Sequence, residues 1–305
     1  MTLAIISHPD CLLHQGGEDH PEGPDRVAVV QEALTRYPFT PPAIFYEAPL
    51  VKKESLILVH DEFYVTYLES IAPQEGVVGI DADTWMNPHT LQAAHRAAGS
   101  TVFAVDLVLQ NKAQVAFCNV RPPGHHAERD RAMGFCFFNN VAVGVGHALQ
   151  NYSLKKIAII DFDVHHGNGT QNIFQEDHRV LYCSSFQHPF YPGYEAHLDN
   201  QHLIPVPLSA GTDSALFREK VKAAWFEKIT LFQPELIFFS AGFDAHQDDP
   251  LANLKLTKAD YVWLTEEIAK IAKKFCDGKM ISVLEGGYNL EVLRDCVPAH
   301  VAAMM

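Results

Sequence analysis

Long apolar runs are missing from this 305-residue chain: none approaches the roughly 20 residues that a membrane-spanning helix needs. The opening MTLAIISHPD also lacks the basic start and the apolar length of a secretory signal, so a cytoplasmic protein without a membrane partner is expected. Basic residues are scarce, 23 Lys and Arg against 37 Asp and Glu, and they form no cluster. The net charge of −14 repels phosphate backbones, which argues against direct nucleic-acid binding and suits a cationic ligand better. No CxxC pair occurs among the six cysteines, Cys11, Cys118, Cys136, Cys183, Cys276 and Cys296; this far apart, they read as buried free thiols of a reducing compartment. The metalloprotease signature HExxH is absent too. Nor does a Gly/Ser linker, low-complexity tract or internal repeat divide the chain. The segment YPFTPPAIF at 37–45 is short enough to be a connection between elements. Residues 1–305 are therefore expected to form a single domain, and at 48 % hydrophobic they can bury a large core.

What the chain does have is an alternation of apolar runs and helical segments. Runs at 3–7, 114–119, 157–163, 179–185, 235–242 and 279–287, rich in Ile, Val and Phe, read as strands buried on both faces. Helices are expected at 24–37, which starts with Pro24, at 87–110, which is long and Ala-rich, and at 257–275, where Thr257 is a cap candidate with Asp260 three positions on. This pattern predicts an α/β protein with a mostly parallel sheet covered by helices on both faces. Five polar clusters, CNVRPPGHH, DFDVHHGNG, CSSFQHPFYPG, SAGFDAHQDDP and LEGGYNL, all fall at the carboxyl ends of strands. In an open parallel sheet that edge is where loops converge on one crevice and ligands bind.

The cluster at 161–169 packs two carboxylates and two imidazoles into six positions. In extended backbone Asp161, Asp163 and His165 point to one side, and Phe162 and Val164 to the other. Carboxylates held so close repel unless a cation sits beside them, and oxygen with imidazole nitrogen suits zinc, which keeps a position open in catalytic sites. Asp163 and His165 would supply two ligands. Asp244 is the best third, since it follows a strand and has a nearby glycine, while His246, Asp248 and Asp249 are rivals in the same loop. His125 and His126 offer acid/base groups matched to neutral pH, and Asp161 would orient one of them. Tyr288, after two glycines, could stabilise a developing oxyanion; locally it also reads as a packed tyrosine.

RPPGHH, GFCFFNN, DFDVHHGNGTQ, AGFDAHQDDPL and LEGGYNL, in this order, resemble the zinc-dependent histone deacetylase family, which includes bacterial deacetylases and acetylpolyamine amidohydrolases; HPEGPDR at 20–26 resembles its amino-terminal motif. The resemblance implies an arginase/deacetylase-like three-layer α/β/α fold with a central eight-stranded parallel sheet. It implies that Asp163, His165 and Asp244 hold one Zn2+ ion. His126 matches the histidine that activates the attacking water and then protonates the leaving amine, with Asn168 behind it. His125 matches its partner, paired with Asp161, and Tyr288 matches the carbonyl-polarising tyrosine. A structural K+ is implied at Asp161, Asp163, His165 and Ser184. Phe135 and Tyr191 match the aromatic walls of a narrow tunnel, and Gly134 matches the residue whose carbonyl accepts the substrate amide hydrogen.

Two departures bear on substrate. Phe186 stands where many relatives have a histidine, which leaves the shape of the nearby pocket open. Leu251 matches a gatekeeper position where certain polyamine deacetylases carry Glu, and so looks more like lysine deacetylases. Glu18 and Asp19 could receive a distal ammonium at the tunnel mouth, or be solvated loop acids. The expected reaction is hydrolysis of the N-acetyl amide of an aminoalkyl chain, of the acetyl-lysine type, to acetate and free amine. The alternative is an acetylpolyamine amidohydrolase acting on N-acetylputrescine, N-acetylcadaverine or N-acetylspermidine. A homodimer is among the expectations.

Overall fold

Residues whose side chains alternate between two apolar layers form the centre of the molecule. In β1 (Leu3–Ser7), Leu3 and Ile5 enter one hydrophobic cluster and Ala4 and Ile6 the other, so the strand is buried on both faces as its unbroken apolar run requires. The computed structural model describes residues 2–17, 20–193 and 201–305. The other strands are β2 (Ile44–Glu47), β3 (Val78–Gly79), β4 (Trp85–Met86), β5 (Val115–Cys118), β6 (Ile157–Asp161), β7 (Val180–Gln187), β8 (Leu203–Leu208), β9 (Leu236–Ala241) and β10 (Met280–Leu284). Eight of them pair in the order β2-β1-β5-β10-β9-β6-β7-β8, every pair parallel, and β3 and β4 make a separate antiparallel pair.

Ten α-helices are described: α1 (Asp25–Arg36), α2 (Lys53–Leu56), α3 (Glu62–Ile71), α4 (Thr90–Leu109), α5 (Asn140–Asn151), α6 (Asn168–Phe174), α7 (Ser214–Val221), α8 (Glu227–Phe232), α9 (Lys258–Phe275) and α10 (Leu290–Ala303). Leu34 of α1, Leu264 of α9 and Val301 of α10 pack on the sheet face that carries Ile5. Val65 of α3, Val105 of α4 and Val141 of α5 cover the opposite face. The result is the three-layer α/β/α arrangement with an eight-stranded parallel sheet. Thr257 caps α9 as expected, its backbone N–H donating to Asp260 Oδ2 at 2.8 Å.

Two of the eight strands lack a buried-strand signature in sequence, and both are edges. β2 lies where the sequence reads as a connection, and its Ile44 and Phe45 are exposed. β8 carries Pro205 and Pro207. Two prolines spaced by two lose their donors on the same side of a strand, and on an edge that side faces away from the sheet. All six cysteines are free and buried, as expected. Among the described residues no helix is long and apolar enough to cross a membrane.

Candidate active site

The polar clusters meet at the carboxyl edge of the central strands. β6 ends at Asp161, and beyond it Phe162 and Val164 still enter the core while Asp163 turns the other way. Asp163 Oδ1 accepts the His165 backbone N–H at 2.9 Å and lies 3.0 Å from His165 Nδ1, and its Oδ2 accepts Gly286 N–H at 2.9 Å. Asp244, from the loop after β9, accepts Val164 N–H on Oδ1 at 2.9 Å and brings Oδ2 to 3.3 Å from His165 Nδ1. Among the described residues, Asp163, His165 and Asp244 form the group able to hold a metal ion, with candidate ligand atoms all within 4.8 Å of one another. Asp244 Oδ2 is buried without a well-formed hydrogen bond, an acceptor that asks for a cation. The rivals are engaged elsewhere: His246 faces Asp248, and Asp249 accepts Tyr288 N–H at 2.8 Å and Leu251 N–H at 3.0 Å. Gly242 permits this crowding, because a Cβ there would come 2.0 Å from Asp163 Oδ2.

The electrostatics fit a cation. Burial raises the Asp244 carboxyl, and the neighbouring Asp163 charge raises it further. Burial works against a charge on His165, yet its contacts with Asp163 and Asp244 hold its pKa up at about 10. A place that favours a proton this strongly also favours a divalent ion in its stead.

His125 and His126 lie alongside. His125 Nδ1 is 3.1 Å from Asp161 Oδ2, which also accepts the Tyr182 hydroxyl at 2.7 Å. His126 Nδ1 is 2.8 Å from Asn168 Oδ1. Burial opposes the charged form of both rings. Asp163 and Asp161 overcome it for His125, whose pKa is raised to about 10, while the charges of His125 and His165 reinforce it for His126, which is driven well below the ordinary range.

Several supports were not singled out from the sequence. Glu285 accepts Gly124 N–H at 2.7 Å and His125 N–H at 3.1 Å, fixing the backbone that carries both imidazoles. Arg26 donates to Gly287 O at 2.7 Å and to Glu285 O at 2.5 Å, and its guanidinium lies 5.1 Å from the Tyr288 ring centroid. Glu22 joins Arg26 to Arg121, with contacts at 2.9 Å and twice 2.8 Å, so the motif HPEGPDR braces the Tyr288 loop from behind. The sequence carries no local signal for this brace, because Glu22 and Arg121 are 99 positions apart and Arg26 and Gly287 are 261 apart, and only the fold brings them into contact.

A pocket of about 230 Å³ opens over this group, lined by His125, His126, His165, Tyr288, Gly134, Phe135, Tyr191, Leu251 and Asp83 among others. Phe135 packs edge-on to Tyr288 at 6.1 Å and Tyr191 edge-on to His126 at 5.2 Å. Gly134 and Phe135 have φ of 57° and 68° within a tight turn closed by Met133 and Cys136. A Cβ on Gly134 would come 2.5 Å from His126 Cδ2, so only glycine lets this turn lie on the imidazole. Leu251 is 38 % exposed at the rim. Asp83, in the loop between β3 and β4, joins the lining without having been expected. Ser184 pairs with Asp161 across adjacent strands and its Oγ is buried without a well-formed hydrogen bond. Phe186 is buried against the His166 ring at 4.6 Å and does not line the pocket, which answers the question its identity raised. Glu18 and Asp19 lie outside the described residues. A larger cavity of about 420 Å³ between Ser7–Leu12 and α1 contains none of these groups.

Residues 20–304 match the histone deacetylase domain. The chain belongs to the histone deacetylase family. A probable deacetylase of Archaeoglobus fulgidus is 34 % identical over 299 residues, covering 95 % of this chain and 82 % of that protein. Type-2 histone deacetylase 2 of Dictyostelium discoideum is 34 % identical over 353 residues; it matches the whole chain, which spans 21 % of its length. The crystal structure of the HDA15 HD domain superposes with a TM-score of 0.91 at 33 % identity, covering 99 % of this chain and 88 % of that one. This histone deacetylase family member is accordingly a hydrolytic deacetylase with the family's α/β fold.

Proposed function

We propose that the protein is a zinc-dependent deacetylase of the acetyl-lysine type, a single catalytic domain acting in the cytoplasm on acetylated side chains. The observation that carries this reading is the convergence of Asp163, His165 and Asp244 with His126 and Tyr288 at the foot of an aromatic-walled pocket. Asp163, His165 and Asp244 would hold the zinc ion, which when bound supplies Lewis-acid polarisation of the amide carbonyl. His126 takes the proton of the attacking water and delivers it to the departing nitrogen, so that the C–N bond breaks to give acetate and a free amine. Asn168 orients His126, and Asp161 orients His125 beside it. Tyr288 donates its hydroxyl to the developing oxyanion; enclosure pushes that hydroxyl well above its ordinary pKa, which keeps the proton in place to be donated. The Gly134 carbonyl accepts the substrate amide hydrogen, and Phe135 and Tyr191 flank the methylene chain. A structural K+ at Asp161, Asp163, His165 and Ser184 accords with the buried Ser184 hydroxyl, which lacks a well-formed hydrogen bond.

Leu251 at the rim supports an acetyl-lysine substrate. A second reading, an acetylpolyamine amidohydrolase, is favoured by Asp83 in the pocket lining and by the net charge of −14, both of which suit a distal ammonium. Comparing kcat/KM for acetyl-lysine peptides with N-acetylputrescine, N-acetylcadaverine and N-acetylspermidine tests the choice, and peptides are expected to turn over. No turnover of any peptide would end the lysine reading. Chelation is expected to abolish hydrolysis and about one equivalent of zinc to restore it; two tightly bound transition ions per chain would contradict the mechanism.

A further inference from the structure

Behind His126 the polar chain does not stop at Asn168. Asn168 Nδ2 donates to Glu128 Oε1 at 2.7 Å, and the same oxygen accepts Arg131 Nη2 at 3.0 Å. Glu128 is 6 % exposed, and its backbone is tied down on both sides: its N–H donates to Arg131 O at 2.9 Å and its carbonyl meets His60 Nδ1 at 2.9 Å. A carboxylate only accepts hydrogen bonds, whereas a carboxamide has one accepting and one donating end. Glu128 therefore compels Asn168 to turn its nitrogen toward it and its oxygen toward His126. Facing an oxygen that cannot donate, His126 Nδ1 has to carry the proton, which leaves the lone pair on Nε2.

We propose that Glu128 is a positioning residue that sets the orientation of the Asn168 amide and through it the Nδ1–H tautomer of His126. The proposal rests on the reading of His126 as the proton acceptor, because that role needs a free Nε2. Asn168 Nδ2 also reaches the His126 carbonyl, but at 3.4 Å; the 2.7 Å bond to Glu128 is the short, charge-assisted contact that fixes which end of the amide faces the ring. Sequence reasoning stops at Asn168, since nothing in HHAERD marks Glu128 as different from a solvated loop acid.

The test uses the zinc-loaded full chain with two readouts, steady-state kinetics and the 15N shifts of the His126 ring. Glu128→Met is expected to lower kcat by about 10- to 100-fold with KM changed less than about threefold, and to mix the two neutral tautomers. Glu128→Gln, which can still accept from Asn168, is expected to recover most of kcat. Asn168→Asp sets two acceptors against each other and is expected to lose about tenfold or more in kcat, while Asn168→Asp with Glu128→Gln exchanges the amide and the carboxylate and is expected to regain it. That compensation decides the matter even if Glu128→Met fails to fold. A Glu128→Met enzyme with unchanged kcat and a pure Nδ1–H tautomer, or a double variant no better than Asn168→Asp, would overturn the proposal. Absence of turnover by the wild-type chain would instead count against the functional reading, with the ring shifts still reporting on Glu128.

Discussion

His125 and His126 are adjacent in sequence and their ring centroids are 4.1 Å apart, yet the fold gives them opposite surroundings. Behind His125 stands a carboxylate, Asp161, itself held by the Tyr182 hydroxyl; behind His126 stands a neutral amide. Burial penalises charge on both, but only His125 has carboxylates close enough to reverse it, so one ring is raised to about 10 and the other is pressed well down. Two like groups are thus pushed apart by their environments, His125 towards its charged form and His126 towards its neutral one. Partner chemistry, more than position in the chain, distinguishes the two imidazoles.

The sharpest way to break this contrast is to remove one ring at a time. His126→Ala is expected to lower kcat/KM by about 10³- to 10⁴-fold while metal content stays unchanged, and His125→Ala to cost less. Kinetics with metal analysis on both variants checks this, and the reverse order would exchange their roles. Tyr288→Phe is expected to cost about 10²- to 10³-fold in kcat, because it removes a donor aimed at the oxyanion and leaves the pocket walls intact. Asp161→Asn replaces the charged partner of His125 by an amide like that of His126, making the two surroundings alike; a loss of about 10- to 100-fold in kcat is expected.

The smallest effect concerns stability and extends the comparison to His60 and His300, which do not line the pocket. His300 contacts Thr265 Oγ1 at 2.6 Å and Ser282 Oγ at 2.9 Å, and burial lowers its pKa to about 3. Burial likewise lowers His60 to about 4. Above pH 6.5 these rings are neutral whether the chain is folded or unfolded. Below it the unfolded rings bind protons that the folded ones refuse, so stability falls as pH drops from 6.5 towards 4 and 3. Each ring contributes a slope of about 1.4 kcal/mol per pH unit. Urea denaturation at pH 7, 6 and 5 should show the decline, and His300→Gln should remove about one proton's share of it; an unchanged slope would refute the assignment.

The legible parts of the fold were those with one strong local cause. The six inner strands carry unbroken apolar runs because both faces are covered, and α9 announces its start through Thr257 and Asp260. The edge strands β2 and β8 were illegible for the converse reason: one side of each is free, so exposed aromatics and prolines are tolerated there. In the site, Asp163 and His165 could be read from two-residue alternation at a strand end. For the third member the sequence offered Asp244 as the best candidate, but spacing alone did not separate it from His246, Asp248 and Asp249; the folded loop does.

By itself the sequence determined which side chains could do chemistry and that they would gather on one sheet edge, because apolar periodicity places strand ends without any knowledge of their neighbours. Only the tertiary structure decided that Asp244 rather than its loop neighbours meets His165, and that Glu22, Arg26 and Glu128 support the site from behind; the partners of His125 and His126 are those the family resemblance implies. Those outcomes depend on contacts within about 3 Å between segments up to 261 residues apart, as in the bond from Arg26 to Gly287, and hydrogen bonding at that range is set by packing rather than by local pattern.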